Sequence, residues 1–319
     1  MSDSGVKPAE RPDEAGVKPA ERPDEAGVEP AERPDEAGFT LVQLTDTHLR
    51  AEGELVHGSV DPYANLTTVL DLLVASGQRV NALVFSGDLA DDGDPAAYRR
   101  LRDAVEPVAE SLGAATIYAM GNHDDRAAFG RELLDEGEVL DPHRTWDAVH
   151  VVDDVRIVVL DSSTPGRHDG RLEEHQLRWL AEQLATPSLR GTILVLHHPP
   201  ISSPVTTVDY LRLQDPDDLA ETIAGSDVRM VLCGHAHHTG TGSIGGVPVW
   251  VGPAMSYRVD TAPPLDRHRG LTGFGFTRID LLESGFTATA VDAAPAAVVY
   301  DESRLSVLAK LADLSRRAG

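Results

Sequence analysis

Five short runs of metal-ligating side chains stand in order along the chain: Asp46-Thr47-His48, Gly87-Asp88, Gly121-Asn122-His123-Asp124, His197-His198-Pro199 and Gly234-His235-Ala236-His237. Their donors are carboxylates, imidazoles and an amide oxygen, with no thiolate. That set suits hydrolytic chemistry on hard or borderline divalent metals. Asp46 and His48 stand at i and i+2, as do His235 and His237, and at a strand end this spacing sends both side chains to one side. Asn122 offers a ligand oxygen without adding charge. Asp88 has no partner ligand in its own run and is the natural bridge. The candidate ligands are Asp46, His48, Asp88, Asn122, His197, His235 and His237, more than one ion takes. Two ions about 3.5–4 Å apart, sharing a carboxylate, are therefore expected. Either of the adjacent histidines His197 and His198 could be the ligand, and strand alternation would turn the other away. His123 adjoins a ligand without being needed as one, which makes it the candidate general acid. Asp124 reads as a residue that positions Asn122 or His123.

Each run directly follows an apolar stretch: FTLVQLTD from Phe39, VNALVFSGD from Val80, ATIYAMGNHD from Ala115, GTILVLHH from Gly191 and VRMVLCGH from Val228. Such stretches read as buried strands. Ligand sites in sheets flanked by helices collect where such strands end, so the five runs are expected to converge. Between the strands, apolar spacing predicts helices over 61–77, from Pro95 to Gly113, over 125–135, over 172–186 and over 216–225. Residues 147–161 read as a hairpin turning at Asp153-Asp154. GVPVWVGPA and the stretch from Phe274 to Asp292 supply a closing set of antiparallel strands. A βαβα pattern followed by hairpins, repeated about twice, predicts an α/β fold: a four-layer α/β/β/α sandwich of two mixed sheets flanked by helices.

Residues 5–37 hold three near-identical eleven-residue repeats, GVKPAERPDEA and its variant GVEPAERPDEA. Two prolines per repeat and the lack of large apolar residues predict a disordered, solvated tail. The expected organisation is a repeat tail at 1–38, a catalytic domain at 39–297 and a C-terminal helical extension at 298–319. The extension carries Leu305, Leu308 and Leu311 as its stripe.

The formal net charge is −24. A surface that negative repels polyanions, so no nucleic acid partner is expected. A small anionic substrate stays compatible, because bound cations reverse the local field. Cys233 is the sole cysteine, which excludes an intrachain disulfide. No apolar run reaches the ~18 residues of a transmembrane helix, and the N-terminus lacks a signal-like apolar region. A cytoplasmic location is expected.

The series D-x-H, G-D, G-N-H-D, H and G-H-x-H resembles the signature of the calcineurin-like metallophosphoesterase superfamily. Within it, SGDLADDGDPAAYRRLRD (86–103), MGNHDDR (120–126), VLDSSTPGRHDGRLEEHQLRWL (159–180) and ILVLHHPP (193–200) are similar to the bacterial class III cyclic nucleotide phosphodiesterases, actinobacterial branch especially. The resemblance implies the four-layer sandwich and a binuclear centre, with Fe and Mn or two Mn. It implies that Asp46, His48 and His237 bind one ion, that Asn122, His197 and His235 bind the other, and that Asp88 bridges them. It favours His197 over His198. It also implies a homodimer, and His123 beside the scissile phosphate. The expected reaction is hydrolysis of a 3′,5′-cyclic nucleotide (cAMP or cGMP) to a 5′-monophosphate, by in-line attack of a metal-bridging hydroxide. The motifs leave open other small substrates: 2′,3′-cyclic nucleotides, glycerophosphodiesters or other phosphoesters. A non-catalytic metal-binding scaffold is the rival from another class, and it would be expected to have lost ligands.

Overall fold

The apolar stretches form strands of two sheets. In the computed structural model, which describes residues 38–318 apart from 140 and 283–284, the elements in chain order begin with β1 (Phe39–Leu44), α1 (Pro62–Ser76), β2 (Ala82–Ser86), α2 (Pro95–Leu112), β3 (Ala115–Ala119) and α3 (Arg126–Leu133). There follow β4 (Ala148–Val152), β5 (Val155–Leu160), α4 (Glu174–Leu184), β6 (Thr192–Leu196), α5 (Thr206–Asp209), α6 (Pro216–Ile223) and β7 (Val228–Cys233). The chain closes with β8 (Gly240–Ile244), β9 (Val247–Val251), β10 (Arg258–Val259), β11 (Gly270–Leu271), β12 (Gly275–Leu282), β13 (Gly285–Asp292) and α7 (Arg304–Ala318). The eleven-residue repeats lie outside the described residues.

One sheet has the order β13-β12-β1-β2-β3 and the other β4-β5-β6-β7-β9-β8. Both are mixed: β1, β2 and β3 are parallel while β12 runs antiparallel to β1, and β5, β6, β7 and β9 are parallel with β4 and β8 antiparallel at the edges. Every residue of β1, β2, β5 and β6 is buried. That accounts for runs without polar alternation, since strands covered on both faces need none.

Three apolar slabs separate four layers. Phe39, Leu41, Val84 and Ile117 of the first sheet meet Ile157, Val195 and Leu232 of the second. Outside the first sheet, Leu66 and Leu70 of α1, Tyr98 and Leu101 of α2 and Phe129 of α3 pack with Leu83 and Phe85. Outside the second, Leu180 of α4 and Leu219 and Ile223 of α6 pack with Val158, Leu194 and Val231. The α/β/β/α sandwich follows. A fully buried side chain such as Leu101 contributes about 1.5–3 kcal/mol by leaving water.

Local signals set the helix ends. The Asp61 carboxylate accepts from the Tyr63 and Ala64 amides, Pro62 opens α1, and Gly77 closes it at φ +60. Asp94, Pro95 and Gly113 do the same for α2. The β4–β5 turn falls on Asp153 and Asp154, both left-handed. Two features depart from expectation. β9 joins the sheet parallel to β7 and antiparallel only to β8, and 201–213 carries the short helix α5. On α7, Leu305, Leu308 and Leu311 are exposed. No helix among the described residues is long and apolar enough to cross a membrane.

Candidate metal centre

The five runs begin within two residues of the C-terminal ends of five parallel strands: β1, β2 and β3 in one sheet, β6 and β7 in the other. The sandwich brings the two sets of strand ends together. Asp46, His48, Asp88, His197 and His237 are buried, and Asn122, His123 and His235 are half-buried.

The backbone reaches this geometry by a route the spacing did not indicate. Asp46, His48, Asp88, His235 and His237 all have left-handed φ, between +45 and +67. Both i, i+2 pairs lie past the strand ends, so side chains share a side because the chain coils there and not because of strand pleating. Such conformations cost non-glycine residues roughly 1 kcal/mol apiece. The amide of Asp46 donates to Gly87 O at 3.0 Å and that of His48 to Asp88 O at 2.9 Å. These bonds hold the coiled segment against the end of β2.

The imidazoles are oriented by their outer nitrogens. His48 Nδ1 donates to Asp91 Oδ1 at 3.0 Å, His197 Nδ1 to the Ser86 carbonyl at 2.9 Å and His237 Nδ1 to the Tyr257 carbonyl at 3.0 Å. Those acceptors carry no proton, so each Nδ1 keeps its own and Nε2 is the atom that each ring turns inward. His48 Nε2 and His237 Nε2 then face one another at 3.0 Å. His197 Nε2, fully enclosed and without an aligned hydrogen-bond partner, lies 3.2 Å from Asp88 Oδ2. Lone pairs set against lone pairs and carboxylates repel unless a proton or a cation sits among them.

The carboxylates converge on the same space. Asp88 Oδ1 accepts the His123 amide at 2.9 Å. Its Oδ2 faces His197 Nε2 at 3.2 Å and His48 Nε2 at 3.6 Å. Asp46 Oδ1 lies 3.5 Å from His237 Nε2, and its carboxylate accepts the His235 amide at 2.9 Å. Asn122 Oδ1 meets His235 Nδ1 at 2.9 Å. Asp46, His48 and His237 form one group close enough to share an ion, and Asp46, Asp88 and His197 another.

Protonation follows from the surroundings. Burial, then His48, pushes the His237 imidazole down to about 4. Burial, then His198 and His197, holds His235 well below the usual imidazole range. Burial alone would also lower His197, but the charges of Asp88 and Asp46 outweigh it and push it up to about 9. Burial works against an ionised Asp88, yet His197, His123 and His48 hold its carboxyl well below the usual range. The proton on His197 thus stands where a cation would. With oxygen and imidazole donors, two buried carboxylates and inward Nε2 atoms, the residues fit a pair of divalent ions.

His123 donates from Nδ1 to the Asp91 carbonyl at 2.7 Å, and its ring lies edge-on 4.7 Å from His48. Asp124 is not at the cluster's centre. It accepts the amides of Leu89, Ala90 and Gly121 and the Tyr98 hydroxyl, at 2.8–3.2 Å, so it ties the end of β2 to the end of β3. His198, expected to turn away, is fully buried with its ring 4.6 Å from that of His235. β6 ends at Leu196, so strand alternation does not extend to it. His238 hydrogen-bonds Ser203 Oγ at 2.7 Å. His168 lies on the rim, 3.3 Å from Asn122 Nδ2.

Asp91 was not anticipated. Its side chain holds His48 and pairs with Arg50, and its carbonyl holds His123. The roles of the glycines were only partly legible. A Cβ on Gly87 would lie 2.6 Å from His197 Cγ, one on Gly121 2.9 Å from Asp88 Cγ, and one on Gly234 2.8 Å from Asp46 Oδ2. Each glycine leaves room for a ligand from another strand.

A cavity of about 180 Å³ opens over the cluster, lined by His48, Asp88, Asn122, His123, His235 and His237 together with Thr207, Leu211 and Tyr257. A larger cavity of about 500 Å³ lies beyond Asn122. Its Arg126 is already committed to Asp161, Ser163 and the Arg144 carbonyl, so the smaller cavity is where the inward Nε2 atoms lie.

Comparison with known proteins agrees with this geometry. The chain is 45% identical over 235 residues to the cAMP/cGMP dual specificity phosphodiesterase of Mycobacterium tuberculosis (strain CDC 1551 / Oshkosh), which spans 74% of this chain and 73% of that protein. It is 32% identical over 198 residues to the 3′,5′-cyclic adenosine monophosphate phosphodiesterase of Escherichia coli K12, covering 62% and 69% of the two chains. A dimetal phosphatase from Danio rerio shares the fold with a TM-score of 0.58 at 16% identity, over 81% of this chain and 97% of that one. The family model for calcineurin-like phosphoesterases matches residues 39–239, the stretch that holds all five runs, and the chain belongs to that family.

Proposed function

We propose that the protein is a metal-dependent phosphodiesterase that hydrolyses 3′,5′-cyclic nucleotides, cAMP and cGMP, to 5′-monophosphates. The observation that carries this reading is the convergence of the inward Nε2 atoms of His48, His197 and His237 on the carboxylates of Asp46 and Asp88. The substrate class is drawn from the relatives named above. Asp46, His48 and His237 would hold one ion, Asn122, His197 and His235 the other, and Asp88 would serve both. Fe with Mn, or two Mn, are the metals of choice. Catalysis is assigned to residues 39–297, with 1–38 and 298–319 as appendages. A homodimer in the cytoplasm completes the reading, to be checked by sedimentation and cell fractionation.

When bound, such a metal pair lowers the pKa of a water from 15.7 to about 7 and neutralises charge building on the phosphoryl oxygens. The chain's own residues do the rest. The cavity of about 180 Å³ takes the phosphate and ribose and leaves the base toward Thr207 and Tyr257. The Asp91 carbonyl keeps the His123 Nδ1 proton in place, so only Nε2 exchanges a proton. Protonated there, His123 gives that proton to the ribose 3′-oxygen as the P–O3′ bond breaks. General acid catalysis of this kind contributes about 10²–10⁴-fold.

The test is His123→Ala with cAMP, cGMP, 2′,3′-cAMP and bis(p-nitrophenyl) phosphate. Turnover on the 3′,5′-cyclic substrates should fall within that range while metal content stays at two ions. Bis(p-nitrophenyl) phosphate, whose leaving group needs no proton, should be affected less. Equal losses on every substrate, or parallel loss of metal, would remove the acid role. A higher kcat/KM for 2′,3′-cAMP than for cAMP would replace the substrate.

A further inference from the structure

Among the histidines of the five runs, His198 is the one the mechanism does not use, yet it is as deeply enclosed as His197. Ser162 Oγ lies 2.9 Å from His198 Nδ1 and also accepts the His198 amide at 3.3 Å, so ring and backbone are fixed to the end of β5. The ring then lies against two neighbours, 4.6 Å from His235 and 5.0 Å from His197, centre to centre. Its Nε2 is buried without a hydrogen-bond partner. It therefore offers no bond that would draw His235 Nδ1 away from Asn122 Oδ1.

Gly170 also lies against this side chain, where a Cβ would lie 2.8 Å from His198 Nδ1 and closer still to Cγ. Two residues earlier in the same loop, His168 reaches Asn122 Nδ2 at 3.3 Å. A closed ring of contacts results: His198 against His235, His235 to Asn122, Asn122 to His168, and the 168–170 loop back onto His198. All three residues assigned to the second ion, Asn122, His197 and His235, border this ring. His48 and His237 stand outside it, and Asp46 meets it only at the His235 backbone amide.

We infer that His198 is a positioning residue that sets the affinity of the second ion alone, through the placement of His235 and Asn122. The inference rests on the two-ion reading above. It is tested by calorimetric titration of the metal-free full chain with Mn²⁺. The wild type should bind two ions. His198→Ala should keep one binding event at wild-type affinity and weaken the other about 10–100-fold, the usual effect of removing a residue that orients a ligand. His198→Phe, which retains the ring but not the Ser162 bond, should recover most of that loss. His198→Asn, which can keep the bond but not the ring, should not, and it serves in place of the alanine variant should that one fail to fold.

In a His235→Asn background, where the second event is already impaired, adding His198→Ala should change the surviving affinity by less than about two-fold, as for residues that share one task. Wild-type affinities for both ions in His198→Ala overturn the inference, as does equal weakening of both. Fewer than two ions on the wild type overturn the two-ion reading and this inference with it, and that outcome is distinct because it needs no variant.

Discussion

Gly121→Ala adds one methyl group at the point where β3 hands over to Asn122. Gly121 is not among the left-handed glycines, so alanine suits its backbone and the effect is steric. The new Cβ would lie 2.9 Å from Asp88 Cγ and nearer to the Asp88 backbone nitrogen and Oδ1. Non-bonded heavy atoms rest about 3.5 Å apart, and the Asp88 nitrogen would lie 2.2 Å from the new Cβ, so the gap must open by more than about 1 Å. The Asp88 nitrogen cannot swing aside as a flexible side chain would. The backbone around it is also pinned, because Asp124 holds the amides of Leu89, Ala90 and Gly121 together. The Gly87–Asp88 turn must therefore give way as a whole, and it carries with it the Asp88 carboxylate, the group proposed to serve both ions. Overpacking of this kind costs about 1–3 kcal/mol, which lowers Tm by roughly 2–4 °C per kcal/mol for a domain of this size. A misplacement near 1 Å costs about 10²-fold in rate. The assay is kcat/KM on cAMP beside Mn²⁺ content and a thermal melt. The control is Gly137→Ala, which has open space around its Cβ and should change none of the three. Wild-type kcat/KM with two bound ions in Gly121→Ala would refute the close approach and the role given to Asp88.

Asp91→Asn should weaken one of the two Mn²⁺ binding events about 10–100-fold by loosening His48, with a smaller effect on the other; calorimetry reads both. In the metal-free protein His197 is held up at about 9, so near neutral pH an ion must displace its proton. Mn²⁺ affinity should then rise about ten-fold per pH unit between pH 7 and 9 and release at least one proton, measurable by titration in buffers of different ionisation enthalpy; affinity independent of pH would contradict it. Chelation should lower Tm, since ligand at 100 times Kd contributes about 2.7 kcal/mol; a melt unchanged by EDTA would argue against ions bound in the folded state.

The layered fold was legible because β1, β2, β5 and β6 are buried on both faces and wrote that burial as unbroken apolar runs. The helix ends were legible from Gly77, Pro95 and Gly113, whose backbone demands are local, while the capping carboxylates of Asp61 and Asp94 emerged only in the structure. The short ribbon β10–β11 and helix α5 were not, since two-residue strands and a single helical turn carry no periodicity. At the cluster, residue types announced the donors but not how they are aimed. Two ligand pairs share a side through left-handed backbone past the strand ends, which a strand-based reading of i and i+2 cannot distinguish. Asp91 and His198 escaped for another reason: their partners Ser162, His235 and His123 are distant in sequence or reached through the backbone. Only the packed sheets bring them together.

The left-handed backbone at Asp46, His48, Asp88, His235 and His237 bears on how such a site persists over generations. Glycine adopts these angles without penalty, so at each of the five positions a mutation to glycine would relieve conformational strain. A copy of this chain freed from the need to hydrolyse anything would be expected to drift first at these places. All five still carry Asp or His, which is the pattern of a working enzyme and not of a scaffold that has outlived its chemistry.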